Sequence, residues 1–272
     1  MAYTRKLTNG QRTIICQRYV AGESSCSLAH HFSVSPPAIR SLLRRQGIAR
    51  RPQSEAQRLF QCDHSFFSTI DNEQKAYWLG FMAADGYISR NALVIALAQT
   101  DKEHLQRFQE AIHATHPIHD YKYPNTSFSR LFIRSSQLVD GLANYGVVPN
   151  KTFIFRWPIL HKDLQTHFIR GYIDGDGGFY ARRTAYPTPA ISFEVTGNEP
   201  FLLSLQAFLM EQCSLRATKL YRRHKDIPIA TLRYVGRKQV SRIFALLYRD
   251  ATIYLPRKHD IVAASLWVVS ST

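Results

Sequence analysis

Apolar positions follow two periods along this chain, and the places where the period changes mark its organisation. Residues 7–50 show helical spacing in three short stretches. Residues 11–20 carry apolar residues at Ile14, Ile15 and Tyr19, and the pattern breaks at Ala21-Gly22-Glu23-Ser24. Residues 27–32 form a second helix, and Ser33-Val34-Ser35 a turn. A third helix opens at Pro36-Pro37 under a Ser35 cap, with Ile39, Leu42 and Leu43 inward. Further on, period-two runs predict strands at 86–89, 93–98, 118–123 and 128–134. Helices are predicted at 101–113, with Leu105, Phe108 and Ile112 on one stripe, and at 136–145. The same order then recurs, with strands at 179–183, 190–195, 217–222 and 230–235 and helices at 200–212 and 237–248. With one apolar helix ahead of each series, residues 75–150 and 151–272 both read as αββαββα. A helix-turn-helix domain at 1–50 and a basic, polar linker at 51–74 precede them.

The leading helices of the two halves repeat one nine-residue word: Trp78-Leu79-Gly80-Phe81-Met82-Ala83-Ala84-Asp85-Gly86 and Ile169-Arg170-Gly171-Tyr172-Ile173-Asp174-Gly175-Asp176-Gly177. In each copy small residues recur four positions apart, Gly80 with Ala84 and Gly171 with Gly175, leaving one helix face bare. Two such faces can meet backbone to backbone. Packed in parallel, the helices bring Asp85 and Asp176 out at one end, each before a glycine able to close its helix in the left-handed region. Paired carboxylates repel unless a cation lies between them. A single Asp-Gly would be an ordinary turn signal; two copies with matching small residues point to a site.

Composition adds a partner. Lys and Arg outnumber Asp and Glu 35 to 20, a formal charge of +15, on a globular background of 45% hydrophobic residues. This suits a polyanion bound through phosphates. The charge gathers near the start: Arg40, Arg44 and Arg45 lie on the outer face of the third helix, ready for a major groove, and Arg50 and Arg51 in the linker, ready to track a DNA backbone. No apolar run suits a membrane span or a signal peptide, so the expected place is the cytoplasm, with no membrane and no small-molecule substrate. The four cysteines form no Cys-x-x-Cys pair, and Cys16, Cys26, His30 and His31 are poorly spaced for zinc. Tyr77, Trp78, Phe81, Tyr172 and Phe179 read as core, and His113, His116 and His119 as ordinary polar residues.

On both nonapeptides, and on Gly146-Val147-Val148-Pro149-Asn150-Lys151-Thr152 and the stretch from Leu247 to Lys258, the chain resembles the single-chain LAGLIDADG homing endonucleases over residues 75–262. The resemblance implies an α+β fold: a pseudo-twofold duplicated αββαββα saddle with two four-stranded antiparallel sheets in successive major grooves. The N-terminal helix-turn-helix resembles a module often appended to it. It implies a monomer that cuts double-stranded DNA at a long pseudo-palindromic site. Asp85 and Asp176 would bind Mg2+, for which Ca2+ or Mn2+ could substitute. Magnesium on hard carboxylate oxygens supplies what phosphodiester hydrolysis needs. Asp174 faces Ala83 in the other copy, so an interface or capping role suits it better than catalysis.

The family's auxiliary positions fall on Gln99 and Arg134 in the first half; in the second they fall on Gly197 or Asn198, and on Arg233 or Lys238. Each could equally be a polar surface residue or a backbone contact. Lys151 and Lys258 could contact phosphate or brace the linker. The rival reading is a non-cleaving DNA-binding regulator or intron RNA maturase on the same saddle, with an inactive remnant behind it; retention of both aspartates favours cleavage. The ending Ser270-Ser271-Thr272, without His-Asn, fits a free-standing protein better than an intein.

Overall fold

The computed structural model describes residues 7–49, 59–182, 189–222 and 227–267. The chain divides into two compact units, Met1–Phe60 and Gln61–Thr272. In the first, α1 (Asn9–Val20), α2 (Ser25–His31) and α3 (Pro36–Arg45) start on the side chains of Thr8, Ser24 and Ser35, each accepting a hydrogen bond from an amide of the first turn. Ile15, Tyr19, Leu28, Ile39, Leu42 and Leu43 close a separate core. Ile14 is 46% exposed, because Ile15 and Tyr19, four apart, define the buried face. Arg40, Arg44 and Arg45 are exposed on α3, while Arg50 and Arg51 lie outside the described residues.

The second unit begins with α4 (Glu73–Ala84), β1 (Tyr87–Ser89), β2 (Ala92–Ala98), α5 (Lys102–Ala111), β3 (Ile118–Tyr123), β4 (Thr126–Arg134) and α6 (Ser136–Ala143). It continues with α7 (Lys162–Asp176), β5 (Gly177–Arg182), β6 (Ala190–Asn198), α8 (Glu199–Cys213), β7 (Ile229–Val235), α9 (Arg237–Tyr248) and α10 (Pro256–Trp267). Both sheets are antiparallel, in the orders β1-β2-β4-β3 and β5-β6-β7. Strict alternation puts Leu93, Ile95, Leu97, Leu131 and Ile133 under the first sheet and Phe193, Val195, Leu232 and Tyr234 under the second, all in one core shared by the halves. Each such side chain contributes about 2 kcal/mol of burial. No helix among the described residues is long and apolar enough to cross a membrane.

Three expectations change. The second sheet has three strands among the described residues; the predicted strand at 217–222 makes a single bridge, Tyr221 to Thr231. Gln206 takes the Thr218 carbonyl at 2.7 Å and Tyr234 the Arg216 carbonyl at 3.2 Å, so side chains occupy acceptors that a fourth strand would offer. Residues 61–74, read as linker, belong to the second unit: Phe66, Phe67 and Ile70 are buried in its core, three apolar anchors in a polar stretch. Helix α10 follows α9 without having been foreseen.

Candidate active site

Helices α4 and α7 pack in parallel through their small residues. A methyl built on Gly80 would lie 1.9 Å from the Phe168 carbonyl oxygen, and one on Gly171 the same 1.9 Å from that of Tyr77. The two contacts are mirror statements of a local twofold, since Tyr77 and Phe168 each stand immediately before a copy of the repeated word. Further along, a methyl on Gly175 would fall 2.3 Å from the Ala84 Cβ and 3.4 Å from Asp85 Oδ2. The seam therefore delivers Asp85 and Asp176 together to one end.

Both aspartates are exposed by surface area, yet dense protein stands around and beneath them. That surrounding, and then the neighbouring Asp176, push the Asp85 carboxyl up to about 6, against the opposing pull of Lys258 and Lys151. Asp176 is raised by the same desolvation, with Lys151 and Lys258 opposing it. Crowding withdraws water from one side of each group, while the open side admits a hydrated ion. Hard carboxylate oxygens set side by side fit a divalent cation. Two carboxylates leave a coordination shell to be completed by water or phosphate oxygens, and no cluster of three or more His, Cys, Asp or Glu occurs among the described residues.

Neither following glycine is left-handed. Gly177 is extended at φ −128°, and Gly86 is absent from the positive-φ residues. Closeness selects glycine instead: a methyl on Gly86 would meet the Met82 carbonyl oxygen at 2.6 Å. The open helix ends are capped by lysines. Lys151 Nζ donates to the carbonyls of Ala84 (3.1 Å) and Gly86 (2.6 Å). Lys258 Nζ donates to Ile173 (3.2 Å), Gly175 (2.7 Å) and Gly177 (2.8 Å). Ala84 and Gly86 are the counterparts of Gly175 and Gly177, so the lysines too obey the twofold. An ammonium at a helix C-terminus is favoured by the helix dipole. Burial pulls both lysine pKa values down, with the nearby carboxylates resisting. A sequence signal for this pairing existed in the repeated Pro-x-Lys of Pro149-Asn150-Lys151 and Pro256-Arg257-Lys258.

Asp174, 1% exposed, accepts hydrogen bonds from Tyr77 (2.7 Å), Tyr248 (3.0 Å) and the Leu255 amide (2.8 Å). Arg170, equally buried, donates to the carbonyls of Ile253 (2.8 Å) and Leu247 (2.9 Å) and to Glu73 (2.5 Å). These two residues stitch the stretch before α10 onto the helix pair, which places Asp174 in the interface rather than at the open end. Their counterparts Ala83 and Leu79 carry no such wiring.

Strand register locates the remaining candidates. Asp85 leads directly into β1, and Tyr87 pairs with Val94, so the far end of β2 runs beside Asp85; Gln99, half-buried, follows that end. Arg134 aligns through Ala92 with Ser89, four strand positions or about 13 Å from the Asp85 level. The structure does not bring it to the carboxylates. Arg130, aligned with Ala96, stands level with Asp85, its guanidinium 4.5 Å from the Tyr121 ring centroid. Counting register from the helix end would have singled out Arg130. In the second half Asn198 is buried as the α8 cap, and Arg233 pairs with Glu194 at 3.0 Å. Lys238 lies exposed in α9, beyond the end of β7 that aligns with Tyr180 and away from Asp176. The exposed Thr196 and its neighbour Thr231, 3.2 Å apart, occupy the Asp176 end. The sheet faces differ: Val94, Ala96, Phe128 and Phe132 on the first, Glu194, Thr196 and Arg233 on the second.

Comparison with known proteins agrees with this geometry. The family model for the LAGLIDADG-like domain matches residues 72–139. Among solved structures, the LAGLIDADG homing endonuclease I-GzeII in complex with its DNA target superposes with a TM-score of 0.53 at 13% identity, covering 74% of this chain and 92% of that one. The LAGLIDADG meganuclease I-AabMI bound to uncleaved DNA gives 0.49 at 13% identity, over 74% and 92%. No curated protein sequence matches the chain. With its paired motif helices and its two antiparallel sheets, this chain has the fold of a single-chain LAGLIDADG homing endonuclease and carries a LAGLIDADG-like domain at residues 72–139.

Proposed function

We propose that this chain is a site-specific DNA endonuclease that hydrolyses both strands of a long pseudo-palindromic duplex with a divalent metal, magnesium in the cell and calcium or manganese as substitutes. The observation that carries the reading is the twofold pair of Asp85 and Asp176, delivered to one open surface by helices that touch through Gly80 and Gly171, with a lysine under each. Asp85 and Asp176 would hold the metal. When bound, magnesium supplies the polarised water and the charge neutralisation that phosphodiester hydrolysis requires. Lys151 and Lys258 hold the motif-helix ends in place and lend positive charge to the scissile region. In place of a direct DNA contact, Lys151 acts through this bracing. Gln99 and Arg130 orient water and phosphate on the Asp85 side. Arg134 and Lys238, distant from the carboxylates, serve as DNA-backbone contacts.

The sheets present the base-reading faces, and the first unit adds Arg40, Arg44 and Arg45, with Arg50 and Arg51 after them, as phosphate or groove contacts. The protein acts as a monomer, because both halves of the site lie in one chain. The test is cleavage of a randomised or genomic DNA pool with magnesium by wild type, Asp85→Asn and Asp176→Asn. Specific cutting that both substitutions abolish, with DNA binding retained, is expected. Selective binding without cutting by wild type would instead make the chain a DNA-binding regulator.

A further inference from the structure

The two lysine-bearing segments are each anchored on the half of the saddle opposite to the helix that their lysine caps. Asp101 closes the turn after β2 in the first half and occupies the α5 cap position, yet its side chain makes no cap bond. An aspartate there ordinarily caps its own helix. Instead, only 8% exposed, it receives Arg257 through Nε (3.0 Å) and Nη2 (2.7 Å) in a two-pronged pair. Arg257 is the residue before Lys258, whose ammonium caps α7 in the second half.

The equivalent place in the second half is Asn198, at the end of β6 and the start of α8. Its Oδ1 caps the Phe201 amide (3.1 Å), and its Nδ2 donates to the carbonyls of Thr152 (3.1 Å) and Phe155 (3.0 Å). Those carbonyls lie within and just after the turn that starts at Lys151, whose ammonium caps α4 in the first half. The chemistry of the two anchors differs, an ion pair against an amide clamp, while the crossed placement is the same. Local preference does not explain it, since Asp101 forgoes its cap to reach a partner 156 positions away.

We propose that Asp101 and Asn198 are positioning residues for the two lysines, each holding from one half the lysine that caps the motif helix of the other, so that the two helix ends that carry the aspartates are cross-braced. The proposal rests on the endonuclease reading above. Loosening the Asp101–Arg257 pair then disturbs Lys258 and the α7 end ahead of Lys151 and the α4 end, and converts a balanced double-strand cutter into one that favours a single strand. A role confined to stability would slow both strands alike.

The experiment uses the full chain and a plasmid carrying the sequence that wild type cuts from a randomised pool, with each strand end-labelled so that its cleavage rate is read separately. Asp101→Asn and the half-exposed Arg257→Ala are expected to shift the ratio of the two strand rates by about tenfold, in the direction set by Lys258→Met and opposite to that set by Lys151→Met. The double variant Asp101→Arg with Arg257→Asp is expected to return the ratio toward wild type. Equal slowing of both strands, or an unchanged ratio with Arg257→Ala, overturns the proposal. Failure of wild type to cut any pool overturns the endonuclease reading and this inference with it.

Discussion

His104 shows how one side chain links the core to pH. It is 2% exposed, and Tyr77, which donates its own proton to Asp174, must receive the His104 Nε2 proton at 2.9 Å. That leaves Nδ1 bare, with no partner among the described residues and aromatic rings around it. A second proton has nowhere to bond, and burial first, then Arg107, push the pKa down to about 4. Since the unfolded chain takes up that proton near pH 6.5, stability is full above that value, falls as pH drops toward 4, and then levels. Urea melts at pH 7 and pH 5 should differ by about 2 kcal/mol from this residue, a slope that His104→Gln removes. Asp174 is the other end of the chain of bonds. Asp174→Ala strands two tyrosine hydroxyls and an amide, and should cost about 3 kcal/mol or more in a urea titration.

At the scale of elements, the α4–α7 seam is the most demanding contact in the chain. Gly80→Ala or Gly171→Ala pushes a methyl against backbone, which cannot yield without separating the helices, so each should destabilise by about 3 kcal/mol in chemical denaturation. At Gly175 the obstacle is the single methyl of Ala84. Gly175→Ala should therefore be rescued by Ala84→Gly, and a double-mutant cycle should show coupling above about 1 kcal/mol; strict additivity would refute the seam. The sheets depend on the same seam, because β1 and β5 start within two residues of the two aspartates.

The whole molecule consists of two units with separate cores, the first around Ile15, Leu28 and Ile39, the second around both halves of the saddle. Residues 61–272 should fold alone and, on the endonuclease reading, cut the same site with weaker binding. Loss of the arginines on α3 should flatten the dependence of log affinity on log salt by about 1 per phosphate contact removed. Titration of target DNA from low to high salt against both forms measures it, and identical slopes would separate the first unit from DNA binding.

Periodicity, the repeated nonapeptide and the charge excess are local properties, and they determined the helices of the first unit, most of the strands, the duplicated αββ pattern and the pairing of Asp85 with Asp176. They also showed Ile39, Leu42 and Leu43 inward and Arg40, Arg44 and Arg45 outward, because a helix face depends only on spacing. What tertiary structure alone decided depends on contacts between distant residues. Arg130 rather than Arg134 stands level with the carboxylates because strand register comes from pairing across the sheet. The segment at 217–222 makes only one bridge, and the Gln206 side chain from α8 takes its Thr218 carbonyl. Phe66 and Phe67 are core in a polar stretch, and Gly86 and Gly177 answer to crowding rather than to a left-handed turn. Lys151 and Lys258 found their places under the two aspartates only when chain segments 66 and 82 positions downstream folded back across the saddle.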